Sequence, residues 1–75
     1  MKITGTMSYI KVEIDGKTVK IEGEMIVGGF VAFENTIKNW EPPYYDEVIE
    51  DKIKREIIIK VINHTKNSHL VITFE

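Results

Sequence analysis

The chain has 75 residues, no cysteine, and 10 basic against 12 acidic residues, for a formal charge of −2 with histidine neutral. That length allows a single domain, residues 1–75, with a small core, and excludes a large multi-pocket enzyme. The near-neutral charge argues against a general nucleic-acid binder, and the missing thiols exclude a disulfide framework or a thiolate metal site.

A short edge strand is expected near Ile3, before Gly5. Ile10, Val12 and Ile14 then alternate with Tyr9, Lys11 and Glu13, the pattern of a half-buried strand. Asp15-Gly16 follows, a dipeptide that tolerates the positive φ angles of a tight hairpin turn. Beyond it Val19 and Ile21 alternate with Thr18, Lys20 and Glu22. This second strand continues through Gly23 toward Met25 and Val27, with a bulge or bend at Gly23, which has no side chain to pack. Gly28-Gly29 punctuates the chain, and Phe30 to Phe33 read as a third, more buried strand.

Asn35 and Thr36 are turn-like, while Ile37 and Trp40 dip back toward the core. Glu41-Pro42-Pro43 fits neither a helix interior nor a central strand and reads as a stiff, extended connector. A helix follows, capped early by Asp46 or starting near Glu50 and Asp51, and running to about Lys66. Ile49, Ile53, Ile57 and Val61 recur every four residues and form one stripe. Ile58, Ile59 and Ile62 widen the apolar surface past that stripe, and their β-branching makes a strand over 56–62 the competing reading. The acidic start, the basic end and the length favour helix. Asn67-Ser68 breaks it, and His69 to Phe74 form the last strand. The expected fold is α+β: a small, mainly antiparallel sheet with one helix packed on a face, in the order β-β-β-α-β.

Catalysis needs a nucleophile, an acid–base group or a metal in workable geometry. His64 and His69 flank the helix end and lack an obvious third ligand, so a zinc site is not expected. Ser68 adjoins His69, but neighbours in a strand point to opposite faces. Gly28-Gly29 is not followed by Gly-Lys-Ser/Thr and is no phosphate loop. Glu22 and Glu24 share a strand face with Lys20 and read as a solvated surface. The expectation is therefore no catalytic residue, no metal and no cofactor.

Local charge says more than the total. From 41 to 51 the chain holds Glu41, Asp46, Glu47, Glu50 and Asp51 with no basic residue. From 52 to 66 it holds Lys52, Lys54, Arg55, Lys60 and Lys66 against Glu56 alone. The acidic run adjoins Trp40 and contains Tyr44 and Tyr45. Aromatics anchor protein interfaces, prolines limit the entropy lost on binding, and fixed charge steers an oppositely charged partner. Trp40, Glu41, Tyr44, Tyr45, Asp46, Glu47, Glu50 and Asp51 are thus the expected partner-binding surface. The competing reading packs Trp40 and one tyrosine on the domain and leaves the acids to cap the helix. The basic helix face reads as solvated, because the acidic run beside it would repel phosphate.

Val19-Lys20-Ile21-Glu22-Gly23-Glu24, Gly28-Gly29-Phe30-Val31-Ala32-Phe33, Ile37-Lys38-Asn39-Trp40-Glu41-Pro42-Pro43 and the closing Val71-Ile72-Thr73-Phe74-Glu75 resemble immunity protein family 74 of bacterial polymorphic-toxin systems. The Trp-Glu-Pro-Pro segment and the Glu-Gly-Glu strand are the most specific parts, and the likeness covers nearly the whole chain. The resemblance implies a cytoplasmic antidote without enzymatic activity. It would bind one cognate toxin domain, often a nuclease, and block its site or its access to substrate. No role for an individual residue is carried over from the family. Nothing in the sequence calls for a nucleic acid or membrane partner, and no apolar run approaches the length of a bilayer span. The alternative is a structural or assembly module that homodimerises through the over-wide helix or an edge strand, the kind of support a core this small needs.

Overall fold

Asp15 and Gly16 carry positive φ angles of 51° and 82° and reverse the chain within two residues, pairing Ile14 with Lys17. Both angles positive is the signature of the turn whose twist matches that of the flanking strands. In the computed structural model, which describes all 75 residues, the strands so joined are β2 (Tyr9–Ile14) and β3 (Lys17–Ile26). The edge strand β1 (Lys2–Gly5) pairs antiparallel with β2, so the chain opens with three strands in sequence.

Strand β3 serves two neighbours. Its residues 17–22 pair with β2, and residues 23–26 pair with β4 (Gly29–Ala32) across the Val27-Gly28 turn. The handover falls on Gly23, the residue at which a bulge or bend is expected. A Cβ there would sit 2.5 and 2.7 Å from atoms of the Phe30 ring and would strike the Val31 carbonyl. Gly23→Ala is therefore expected to destabilise by about 1–3 kcal/mol through overpacking. A urea titration that moved by less than the error of the midpoint would show that the packing at Gly23 has slack.

From β4 the chain passes through a 3-10 turn, Glu34–Thr36, and the helix α1, Asp51–Thr65, to β5 (Val71–Phe74), which pairs parallel with β4. A parallel neighbour needs a long crossover, and residues 33–70 supply it. The order is β-β-β-β-α-β, and the sheet runs β1-β2-β3-β4-β5. It is the α+β architecture expected, with the edge strand at Ile3 realised as β1. The third strand begins one residue earlier than expected, and the last one two residues later than His69. The sheet curls, so that Ile3 of β1 and Ile72 of β5 line one apolar groove of about 350 Å³, together with Met7, Met25 and Leu70.

The concave face carries the core. Ile10, Val12, Val19, Ile21, Phe30, Ala32 and Ile72 come from the sheet, Ile57 and Val61 from the helix, and Ile37 and Ile49 from the segments flanking the crossover loop. Only part of the anticipated helical stripe is buried. Ile53 is 37% exposed at its margin, while Thr65 continues the stripe past Val61 at 6%. Ile59 and Ile62 lie in solvent, so the helix covers the sheet with one narrow face and leaves apolar surface outside.

Two threonines complete strand edges. The Thr65 hydroxyl donates to the Val61 carbonyl (2.9 Å) and accepts from the Ile72 amide (3.1 Å), tying the helix end to β5. Thr36 donates to the Phe33 carbonyl (2.7 Å) and accepts from the Glu22 amide (3.0 Å) on β3. Thr65→Val keeps the shape but leaves the buried Ile72 amide without an acceptor. The expected cost is about 1–3 kcal/mol, read as a lower thermal midpoint with an unchanged far-UV spectrum; an unshifted midpoint would remove the hydroxyl from the stability account.

Candidate functional site

The expected connector is not extended. Residues 40–47 form a closed loop whose two ends stand side by side. Asn39 and Val48 make an isolated antiparallel bridge, and the Ile49 amide donates to the Lys38 carbonyl at 2.8 Å. Just outside that bridge, Ile37 and Ile49 are both buried in the core. Two reverse turns shape the loop, the first containing the cis Pro42-Pro43 bond. The Tyr44 amide donates to the Glu41 carbonyl and the Glu47 amide to the Tyr44 carbonyl, each at 3.0 Å. The side-chain amide of Asn39 braces the loop from within by donating to the Tyr45 carbonyl at 3.2 Å. Prolines exclude helix and central strand but leave the chain free to turn.

The loop lies against the edge of β3 that no strand covers. The Phe33 amide donates to the Glu22 carbonyl and the Glu41 amide to the Thr18 carbonyl, both at 2.7 Å, so this segment shields an edge otherwise open to foreign strands. It also straddles that edge. Lys11 projects from the outer face of the sheet, and its ammonium meets Glu41 at 3.1 Å. Lys17 shares the inner-face alternation of Val19 and Ile21, and its ammonium meets Glu47 at 2.7 Å. Exposed pairs of this kind contribute about 0–1 kcal/mol each. Lys11 stands directly opposite Lys20, a like-charge pair that is unfavourable in isolation. Glu41 offsets one ammonium, and the Tyr9 ring, 4.6 Å from the Lys20 nitrogen, faces the other.

These contacts sort the expected surface into three groups. Glu41 and Glu47 are committed to lysines of the preceding hairpin. Trp40 is half-buried against the core, and the Lys17 ammonium lies 5.8 Å from its ring centroid and 4.9 Å from that of Tyr44. Tyr45, Asp46, Glu50 and Asp51 are exposed, and none of the three acids among them makes an ion pair. Glu50 stands at the N-cap position of α1 without a side-chain capping hydrogen bond, and Asp51 occupies the first turn, where its charge suits the helix dipole. Trp40 is also one wall of a cleft of about 370 Å³. Its apolar lining is Ile14, Ile53 and Ile57, with charged residues around them that include Lys17 and Glu56.

Lys11, Lys17 and Asn39 are the residues that sequence reasoning missed. A usable signal existed for the first. The two-residue turn fixes the register, the register sets Lys11 against Lys20, and such a pair calls for a counter-ion. His64, His69, Glu22 and Glu24 are exposed. No group of three or more histidine, cysteine or acidic residues is arranged to hold a metal, and no helix is long and apolar enough to cross a membrane.

No curated protein and no solved structure matches the chain. The family model described as immunity protein 74 matches residues 2–75, which takes in every strand, the helix and the loop. The chain belongs to the immunity protein 74 family.

Proposed function

We propose that this chain is a cytoplasmic antidote of a bacterial polymorphic-toxin system, and that it neutralises one cognate toxin domain by stoichiometric binding. The observation that carries the reading is the braced loop of residues 40–47. It joins the helix start in presenting Tyr44, Tyr45, Asp46, Glu50 and Asp51 to solvent, with Trp40 half-buried beside them. Family membership supports binding rather than catalysis. The contact surface in this proposal is Trp40, Glu41, Tyr44, Tyr45, Asp46, Glu47, Glu50 and Asp51. Aromatics provide area at low entropic cost, and unpaired carboxylates steer a basic partner. A nuclease suits such a surface, because enzymes that act on nucleic acid carry positive clefts.

The test is affinity capture of the tagged chain from its native lysate, followed by reconstitution. A stoichiometric partner with a toxin domain whose activity is abolished by an equimolar amount of this chain would support the proposal. Capture of nothing, or of a partner whose activity is unchanged in the complex, would overturn it.

The exposed Ile59 and Ile62 on α1, 58% and 40% accessible, favour a second reading, a homodimer through the helix. Light scattering across a dilution series decides it. A mass that stays at twice the chain mass would support the dimer, which is compatible with toxin binding, and a monomer throughout would remove it.

A further inference from the structure

We propose that Lys17 is the positioning residue of the contact loop. This inference rests on the toxin-binding reading above only for its consequence in affinity; the ordering of the loop is a property of the chain alone.

The argument begins with strand alternation. Lys17 shares the inward face of β3 with Val19 and Ile21, so its aliphatic stem enters the cleft beside Ile14 and Trp40 rather than open solvent. Its ammonium reaches the inner side of the loop. There it meets the Glu47 carboxylate at 2.7 Å, the Tyr44 ring at 4.9 Å and the Trp40 ring at 5.8 Å. One cation thus touches three of the residues assigned to the interface, at the start, middle and end of the loop. The direct backbone contact between the loop's ends inside the bridge is long, from the Trp40 amide to the Glu47 carbonyl at 3.4 Å, so the side-chain clasp matters there. A loop held in its bound shape before encounter loses less entropy on binding.

Electrostatic steering and positioning predict opposite signs when Lys17 is neutralised. Lys17→Met removes a positive charge from an acidic surface and leaves Glu47 unpaired. If the residue mattered only through the field, a basic partner would associate faster and more tightly. If it positions the loop, binding weakens through faster dissociation despite the added negative charge.

The experiment has two arms. Hydrogen exchange on the isolated chain reads the amides of Trp40, Tyr44 and Glu47. Lys17→Met is expected to raise their exchange about tenfold, the scale of one exposed ion pair plus cation–π contacts, with the β2–β3 ladder unchanged. Lys17→Arg is expected to restore protection, since a guanidinium serves both the carboxylate and the rings. Unchanged exchange in Lys17→Met, a rise spread equally over β2 and β3, or failure of Lys17→Arg to rescue would each overturn the assignment. The second arm measures binding kinetics against the toxin domain recovered by capture. An affinity about tenfold weaker through faster dissociation is expected, and faster or tighter binding would overturn the proposal. The exchange arm needs no toxin, so failure of the antidote reading and failure of the Lys17 assignment are separate results.

Discussion

Phe30→Ala is expected to destabilise the domain by about 3 kcal/mol or more. Phe30 is the largest fully buried side chain; its ring packs on Gly23 of β3, and its strand pairs with β5. Its removal takes away transfer free energy and leaves a void in a core of small aliphatic residues that cannot collapse around it without moving strands. Full Phe→Ala costs run to about 5 kcal/mol when the void stays closed. Here Phe30 also lines the groove between the outer strands, so the void opens toward solvent and the lower end of that range applies. A chain of this size has a total stability of roughly 4–11 kcal/mol at typical per-residue values. Trp40 is the only tryptophan and provides a single fluorescence probe for a urea titration. A midpoint shift equivalent to less than about 1 kcal/mol would mean that the centre of the core lies elsewhere.

How far the sequence reaches is clearest at the two ends of the crossover. The hairpin was legible because Asp15-Gly16 fixes both turn type and register, and each later residue inherits its face by alternation. Helix α1 was legible because acidic residues stand at its start and Ile57 and Val61 repeat at its pitch. The sheet covers only part of its broad apolar surface. Isoleucines at 59 and 62 face away from the sheet, and a polar Thr65 takes the place that periodicity would give to another aliphatic residue.

The loop between them was legible as a surface and opaque as a shape. Pro42 and Pro43 say what the backbone is not, whereas the path is set by contacts distant in sequence. Glu41 reaches Lys11 and Glu47 reaches Lys17 on opposite faces of the sheet, while Ile37 and Ile49 hold the ends in the core. No local pattern encodes that straddling arrangement. It also divides the acidic run, because two of its carboxylates are spent on the fold and three are left to solvent.

That division gives the sharpest test of the proposed interface. Tyr45 is 66% exposed, and the loop is braced through its backbone carbonyl by Asn39, so truncating Tyr45 and Asp46 together leaves the loop's own contacts intact. The Tyr45→Ala, Asp46→Ala double variant is expected to lose about 3 kcal/mol of toxin binding, roughly a hundredfold in Kd, with its thermal midpoint unmoved. The two halves separate kinetically. A buried aromatic anchor acts on dissociation, whereas a rim carboxylate acts on association and on its salt dependence. Glu41→Gln and Glu47→Gln, which loosen the staples but leave the three unpaired carboxylates in place, should act more weakly and through loop order. Alanine at Trp40, Tyr44 and Tyr45 together is the limiting case. If that variant stayed folded and bound the toxin domain with unchanged affinity, the contact surface would have to lie elsewhere, and the exposed apolar face of α1 at Ile59 and Ile62 would be the next place to look.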